Sequence, residues 1–335
     1  ILFVVLAIMA DQFLAKVADV SNFIAPVLIL LTFFQTLALL LKFNMQWPAG
    51  LKDLMNKLSI FNINLELARP ECSIKWTASN RMDVMLAVPF GGAFLVLCYG
   101  ASGWLFNRKD PATNSLNLKR KCESMGVGMF MVFSSFFLKG ILGGIDCTPD
   151  ATSGKYYLDI EPSVECDTAS AEYNLIYTKV FAGVALWCAM FGILVLNFFS
   201  EGGKYRYSFL TTKLEDKWFY WELVLLLRKI LIMCSGLFNS SAIARGWYLG
   251  SMVVIVSLAA HAFARPFKKN LVDACEFASL FSTLVIFQSG MVWNSAVDET
   301  GLLGEGLEKL SILLILLVSG LGIIAQIDAI QENNS

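Results

Sequence analysis

The sequence predicts an all-α polytopic membrane protein, with about eight complete transmembrane helices and part of another at its N-terminus. Composition and patterning both point there. Of the 335 residues, 56% are hydrophobic and only 16% are charged, where a soluble chain carries about 25% charged residues. The deficit is gathered into apolar runs of about twenty residues, the length a helix needs to cross a bilayer. The net charge of −1 gives no basis for a nucleic-acid partner.

The chain opens on the apolar stretch Ile1–Ala10, with no basic segment before it. That reads as the end of a membrane helix rather than a signal peptide, so an N-terminal ectodomain is expected to precede it. A polar segment with Asp11, Lys16 and Asp19 follows, then a helix from about Asn22 to Leu41 that holds Gln35. Within the long loop 42–80, Leu51, Leu54, Met55 and Leu58 recur at helical spacing opposite Lys52, Asp53 and Lys57. This predicts an amphipathic interfacial helix near 47–58, with Trp47 and Trp76 suited to the interface.

The next helices are expected at about Met82–Phe106, kinked at Pro89, and Met125–Ile145, with a basic polar loop from Asn107 to Cys122 between them. The loop 146–173 is acidic. Helices follow at about Asn174–Phe199, Trp218–Phe238, Gly246–Ala264, Leu271–Val292 and Leu310–Ile327. All of this reads as one transmembrane domain over 1–335. Loops 42–80 and 146–173 lie outside, and a linker over 200–217 lies in the cytoplasm.

Orientation rests on Lys and Arg. One set of connections, with Lys16 and the segments 107–122, 200–217 and 265–270, holds thirteen; the opposite set holds eight. The positive-inside rule makes the first set, and the C-terminus, cytoplasmic. Cys72, Cys147 and Cys166 then all face outside, where disulfides form. Cys147 with Cys166 is the preferred pair, and Cys72 is an alternative partner for either of them. No CxxC spacing is present, and the single His261 cannot build a zinc site, so no metal or cofactor is expected.

The stretch from Trp218 to Phe238 carries Glu222, Arg228 and Lys229. If it crosses, Arg228 and Lys229 sit about 15 Å deep, at ~1.5 Å rise per residue. An unpaired charge there costs several kcal/mol. Glu222 and Lys229 share a face but are two turns apart, too far for a direct pair. Partners must come from other helices, and Asp273 and Glu276 are nearest in depth. These five residues form a candidate intramembrane charge network, either an ion path or gate, or a structural lock. In another geometry Phe209–Trp221 lies along the inner interface, which leaves only Arg228 and Lys229 deep.

Small and polar residues in the last two helices, Gln288, Ser319, Gly320 and Gly322, are candidates for a pore or gate. The alternative is ordinary close helix packing. The acidic outer loops either concentrate cations at a pore mouth or form a solvated surface. His261 is either a proton sensor or a packed residue. The sequon at Asn239 lies directly at a helix end, which disfavours glycosylation. No Ser-His-Asp, paired-carboxylate or phosphate-loop pattern is visible, so no enzyme is expected.

Several motifs together carry a resemblance. They are Gln46-Trp47-Pro48 through Phe61-Asn62-Ile63-Asn64, Pro70-Glu71-Cys72, Tyr220-Trp221-Glu222 with Arg228-Lys229, and Arg265-Pro266-Phe267 before Asn270 and Glu276. With these the chain resembles the C-terminal membrane region of large protist and algal surface proteins. Those proteins have cysteine-rich ectodomains and are described as similar to transient-receptor-potential (TRP) channels, including the fungal flavin-carrier and polycystin-like group. The resemblance implies a TRP-like cation channel or channel-like subunit of the plasma membrane, the ciliary membrane included. The alternative is a non-conducting anchor or receptor-like subunit that holds a large extracellular assembly. Expected partners are membrane lipids, an extracellular domain or filament, and further copies of the chain.

Overall fold

The structure, a computed structural model, describes residues 21–41, 43, 45–58, 77–106, 111–150, 153–200, 202–203, 207–237, 243–294 and 301–334. The expectations for Ile1–Ala10, Cys72, Trp76 and the Asn239 sequon lie outside these residues. In chain order the main elements are α1 (Ser21–Leu40), α2 (Ala49–Leu58), α3 (Ala78–Phe106) and α4 (Pro111–Leu142). Next come β1 (Cys147–Pro149), β2 (Tyr156–Leu158) and β3 (Glu161–Glu165). The chain continues with α5 (Ala171–Phe198), α6 (Trp221–Leu237), α7 (Ile243–Ala264), α8 (Asn270–Asn294) and α9 (Leu302–Asn334).

Five segments are long and apolar enough to cross a membrane: Ala78–Ala101, Ala171–Phe198, Arg245–Ala264, Asn270–Trp293 and Leu303–Gln331. A sixth results if Met125–Met131 and Phe133–Ile145, bent by 45°, make one span. The chain is therefore a helical membrane protein. The count is below the expected eight for two reasons. The apolar part of α1, Ala25–Leu40, is short for a bilayer, and α6 has 17 residues that include three charges.

Two further expectations need correction. The polar loop 107–122 is largely helical, because α4 starts at Pro111, and proline's fixed φ suits the first helical position. The 146–173 loop contains a three-stranded antiparallel sheet in the order β1-β2-β3, so the protein is not purely helical.

The chain divides into two compact units, one built on residues 71–212 and the other on 22–70 with 213–335. In the first, α3, α4 and α5 pack together. Close approach depends on small residues. A Cβ on Gly183 would lie 2.8 Å from Ile141 Cδ1, and one on Gly140 would lie 2.5 Å from Met85 Sδ. The sheet seats on this bundle through Glu161, whose Oε2 accepts the Ala78 N–H at 2.5 Å. That contact satisfies one of the free donors at the start of α3. Lys179 on α5 reaches Asp83 at 2.6 Å and the Ser79 hydroxyl at 2.8 Å on α3.

In the second unit, α1, α6, α7, α8 and α9 form a bundle with two apolar clusters. One joins Phe33 and Leu37 of α1 to Leu51 and Met55 of α2, Phe287 of α8 and Val318 of α9. The other joins Ala25 and Ile29 to Leu214, Trp221, Phe267, Cys275 and Ala325. The amphipathic α2 takes the expected form, with Leu51 and Met55 inward and Lys52, Asp53 and Lys57 exposed. Glu308 Oε1 accepts the Leu51 N–H at 3.2 Å, which ties the first turn of α2 to α9. In α8, 56% of the spanning window is buried, against 28% in α7 and α9. That makes α8 the central helix of this unit.

Candidate functional site

The charges of α6 are distributed among several helices. At ~100° per residue, Arg228 points to a different face from Glu222 and Lys229, toward α8. Its Nη1 lies 2.6 Å from Glu276 Oε1, with side-chain exposures of 7% and 1%. Such a charge-assisted contact is strong, and burial makes the loss of either partner costly.

Lys229 points toward α1, where its Nζ donates to Gln35 Oε1 at 3.0 Å. Glu222, in the first turn of α6, meets Lys213 of the preceding linker at 2.6 Å. The contact lacks hydrogen-bond alignment at Glu222 Oε1, so it is an attraction between charges in close approach.

Asp273 does not join Arg228. It sits in the first turn of α8, where a carboxylate suits the helix dipole, and it fixes the α7–α8 turn. Its Oδ1 accepts the Phe267 N–H at 3.2 Å. Its backbone carbonyl accepts from His261 Nε2 at 3.0 Å, and its Oδ1 is 3.7 Å from the same nitrogen. The turn itself is held to the linker before α6. Leu214 bridges Phe267, Glu215 N–H donates to Pro266 O at 2.8 Å, and Lys268 N–H donates to Lys213 O at 3.1 Å. Arg265 turns the chain at a φ of 40°, a left-handed conformation that costs about 1–2 kcal/mol outside glycine.

The five sequence candidates thus resolve into one buried pair, Arg228–Glu276, and three local arrangements. Lys213, Gln35 and His261 take part without having been singled out for it. Lys213 reads in sequence as an ordinary cytoplasmic charge, and only the bridge to Phe267 brings it to Glu222.

The pore candidates do not converge. Gly322 is filled against Leu30 of α1, and no atom outside α9 lies near a Cβ built on Gly320. The Ser319 hydroxyl donates to Ile315 O of its own helix at 2.8 Å, and Gln288 is half-buried on α8. The disulfide pairs Cys147 with Cys166, closing the ends of the small sheet. Lys155 and Glu165, 2.8 Å apart, add an exposed pair, and the Thr148 hydroxyl donates to Asp159. The hydrogen bond that Lys155 donates to Glu165 raises the Lys155 pKa above its ordinary value. Among the described residues no group of three or more metal-ligating side chains is present.

These features define a class: a helical membrane protein with a disulfide-closed loop and a buried ion pair inside one of its two helical units. No family model matches the chain. Over an alignment of 159 positions that covers 42% of the chain, the sequence is 28% identical to Cysteine repeat modular protein A of Toxoplasma gondii. The matched stretch covers 5% of that protein's length. No solved structure matches.

Proposed function

We propose that the chain is the membrane domain of a larger cell-surface protein and serves as a non-conducting anchor for an extracellular region. The observation that carries this reading is the Arg228–Glu276 pair. Its two side chains are almost fully enclosed, as in a locked bundle and unlike a wet path. The similarity to a much longer cysteine-repeat modular protein fits a membrane domain attached to a large modular partner segment. Under this reading α1, the bent α4 and α6 also cross, which brings the crossings to the expected eight. The C-terminus is cytoplasmic, the disulfide-closed sheet is outside, and the membrane is the plasma membrane.

A TRP-like cation channel or channel-like subunit is the second reading. Glu276, Ser279 and Thr283 share one face of α8, and all three are buried. Such a polar stripe could line a path in another conformation. Vesicle flux separates the two. The purified chain in liposomes is expected to pass no monovalent or divalent cation above the level of empty vesicles, at any applied potential. Cation flux that disappears in Glu276→Gln would replace the anchor with the channel.

A further inference from the structure

In the first unit, positive charge gathers around the start of α4. The sequence from 107 to 124 holds Arg108, Lys109, Lys119, Arg120 and Lys121 against Asp110 and Glu123. The helices packed against α4 supply no acid to cancel that excess, because α3 carries no charge after Asp83 and α5 none after Lys179. The segment 199–212 after α5 adds Lys204 and Arg206 against Glu201. The other basic segments differ, since Lys213 meets Glu222 at 2.6 Å and Lys269 lies 3.8 Å from Asp328.

The packing of α3 on α4 sets the height of the cluster. The two helices run antiparallel. A Cβ on Gly140 would meet Met85, one on Gly92 would lie 3.9 Å from Met129 Cε, and one on Gly100 would lie 3.3 Å from Cys122 Sγ. The apolar span of α3 ends at Ala101, so Cys122 stands level with that end. Lys119, Arg120 and Lys121 follow within one turn, about 1.5–4.5 Å further along the axis. That is the headgroup layer beside a hydrocarbon core about 30 Å thick. Lys119 is exposed there. Because α4 begins at Pro111, the three residues are already held on a helix, and an incoming ligand need not order a loop.

We propose that Lys119, Arg120 and Lys121, with Arg108 and Lys109 before them in the sequence, bind the acidic headgroups of phospholipids in the cytoplasmic leaflet. This rests on the orientation proposed for the chain. Basic clusters beside a membrane helix are drawn to anionic lipid. A guanidinium grips a phosphate through two parallel hydrogen bonds, and the ammonium groups act as point charges on either side of it. The bound headgroups fix the inner end of the first unit at the membrane surface.

The test uses the purified whole chain in neutral detergent micelles with dansyl-labelled phosphatidylserine or phosphatidylcholine, and reads binding by energy transfer from the chain's tryptophans. The serine lipid is expected to bind more tightly by about fivefold for each contacting cation. The triple variant Lys119→Gln, Arg120→Gln and Lys121→Gln should lose most of that preference. Lys119→Gln alone should lose about fivefold, and Lys119→Arg with Lys121→Arg should keep it whole. Lys52→Gln with Lys57→Gln, on α2, should leave it unchanged. No preference in the wild-type chain, or an unchanged preference in both glutamine variants, overturns the inference. Binding of inositol hexakisphosphate without any preference for the serine lipid assigns the cluster to a soluble polyanion and also overturns it. Reaction of Lys268→Cys from outside intact cells overturns the orientation, and with it the cytoplasmic leaflet as the source of lipid, whatever the preference measured in micelles.

Discussion

Arg228 and Glu276 illustrate how a residue's worth depends on its partner. Removing one leaves the other charged in an apolar bundle, so Arg228→Leu or Glu276→Leu is expected to cost about 3–5 kcal/mol. Each should lower the monodisperse fraction recovered in detergent. Replacing both together, Arg228→Met with Glu276→Leu, removes the burial penalty along with the attraction. The double variant is expected to recover most of the folded yield, because apolar replacements of buried pairs are often neutral. A double variant no better than the singles would show that the pair does more than lock the bundle. That Arg228 needs an acid from another helix was legible in the sequence, because its depth and the spacing from Glu222 left no internal partner. That Asp273 serves the Phe267 turn instead was not legible, because the turn geometry depends on the Leu214–Phe267 bridge between residues 53 positions apart.

Among the elements, the helix crossings give a paired test. Gly183 on α5 faces Ile141 with no room for a Cβ, whereas Gly192 on the same helix has nothing within 4 Å. Gly183→Ala is expected to cost about 1–3 kcal/mol through overpacking. Gly192→Ala should gain about 0.5–1 kcal/mol from helix propensity. Thermal melts of the two variants in the same detergent check both, and equal shifts would contradict the packing described. The small sheet rests on its disulfide. Cys166→Ala is expected to destabilise it by about 3 kcal/mol, the scale for a loop of this size. Amide exchange over 156–165 should accelerate while that of α5 stays slow. Long apolar helices announced themselves through composition, and α2 through its periodicity. The sheet was hidden because its strands have three to five residues, too short for alternation to stand out from an acidic loop. The start of α4 was hidden because Asn114, Lys119 and Arg120 look like loop residues, although Pro111 marks a first helical turn.

At the scale of the whole molecule, each unit has its own logic. The first carries the disulfide-closed sheet on three helices, joined by Glu161 to α3 and by Lys179 across α3 and α5. The second encloses the charges of α6 around the central α8. The proposed orientation rests on the basic segments and is open to labelling: Ser153→Cys should react from outside intact cells, and Lys268→Cys only after permeabilisation. The central claim is that the interior around Arg228 and Glu276 is dry and locked. It is tested most directly at Ser279, which is buried and whose hydroxyl donates to Glu276 O at 2.8 Å. Ser279→Cys should resist a charged, membrane-impermeant thiol reagent applied from either side, giving no labelling beyond the native cysteine background. Rapid modification from one side would reveal a water path to the ion pair and contradict the account.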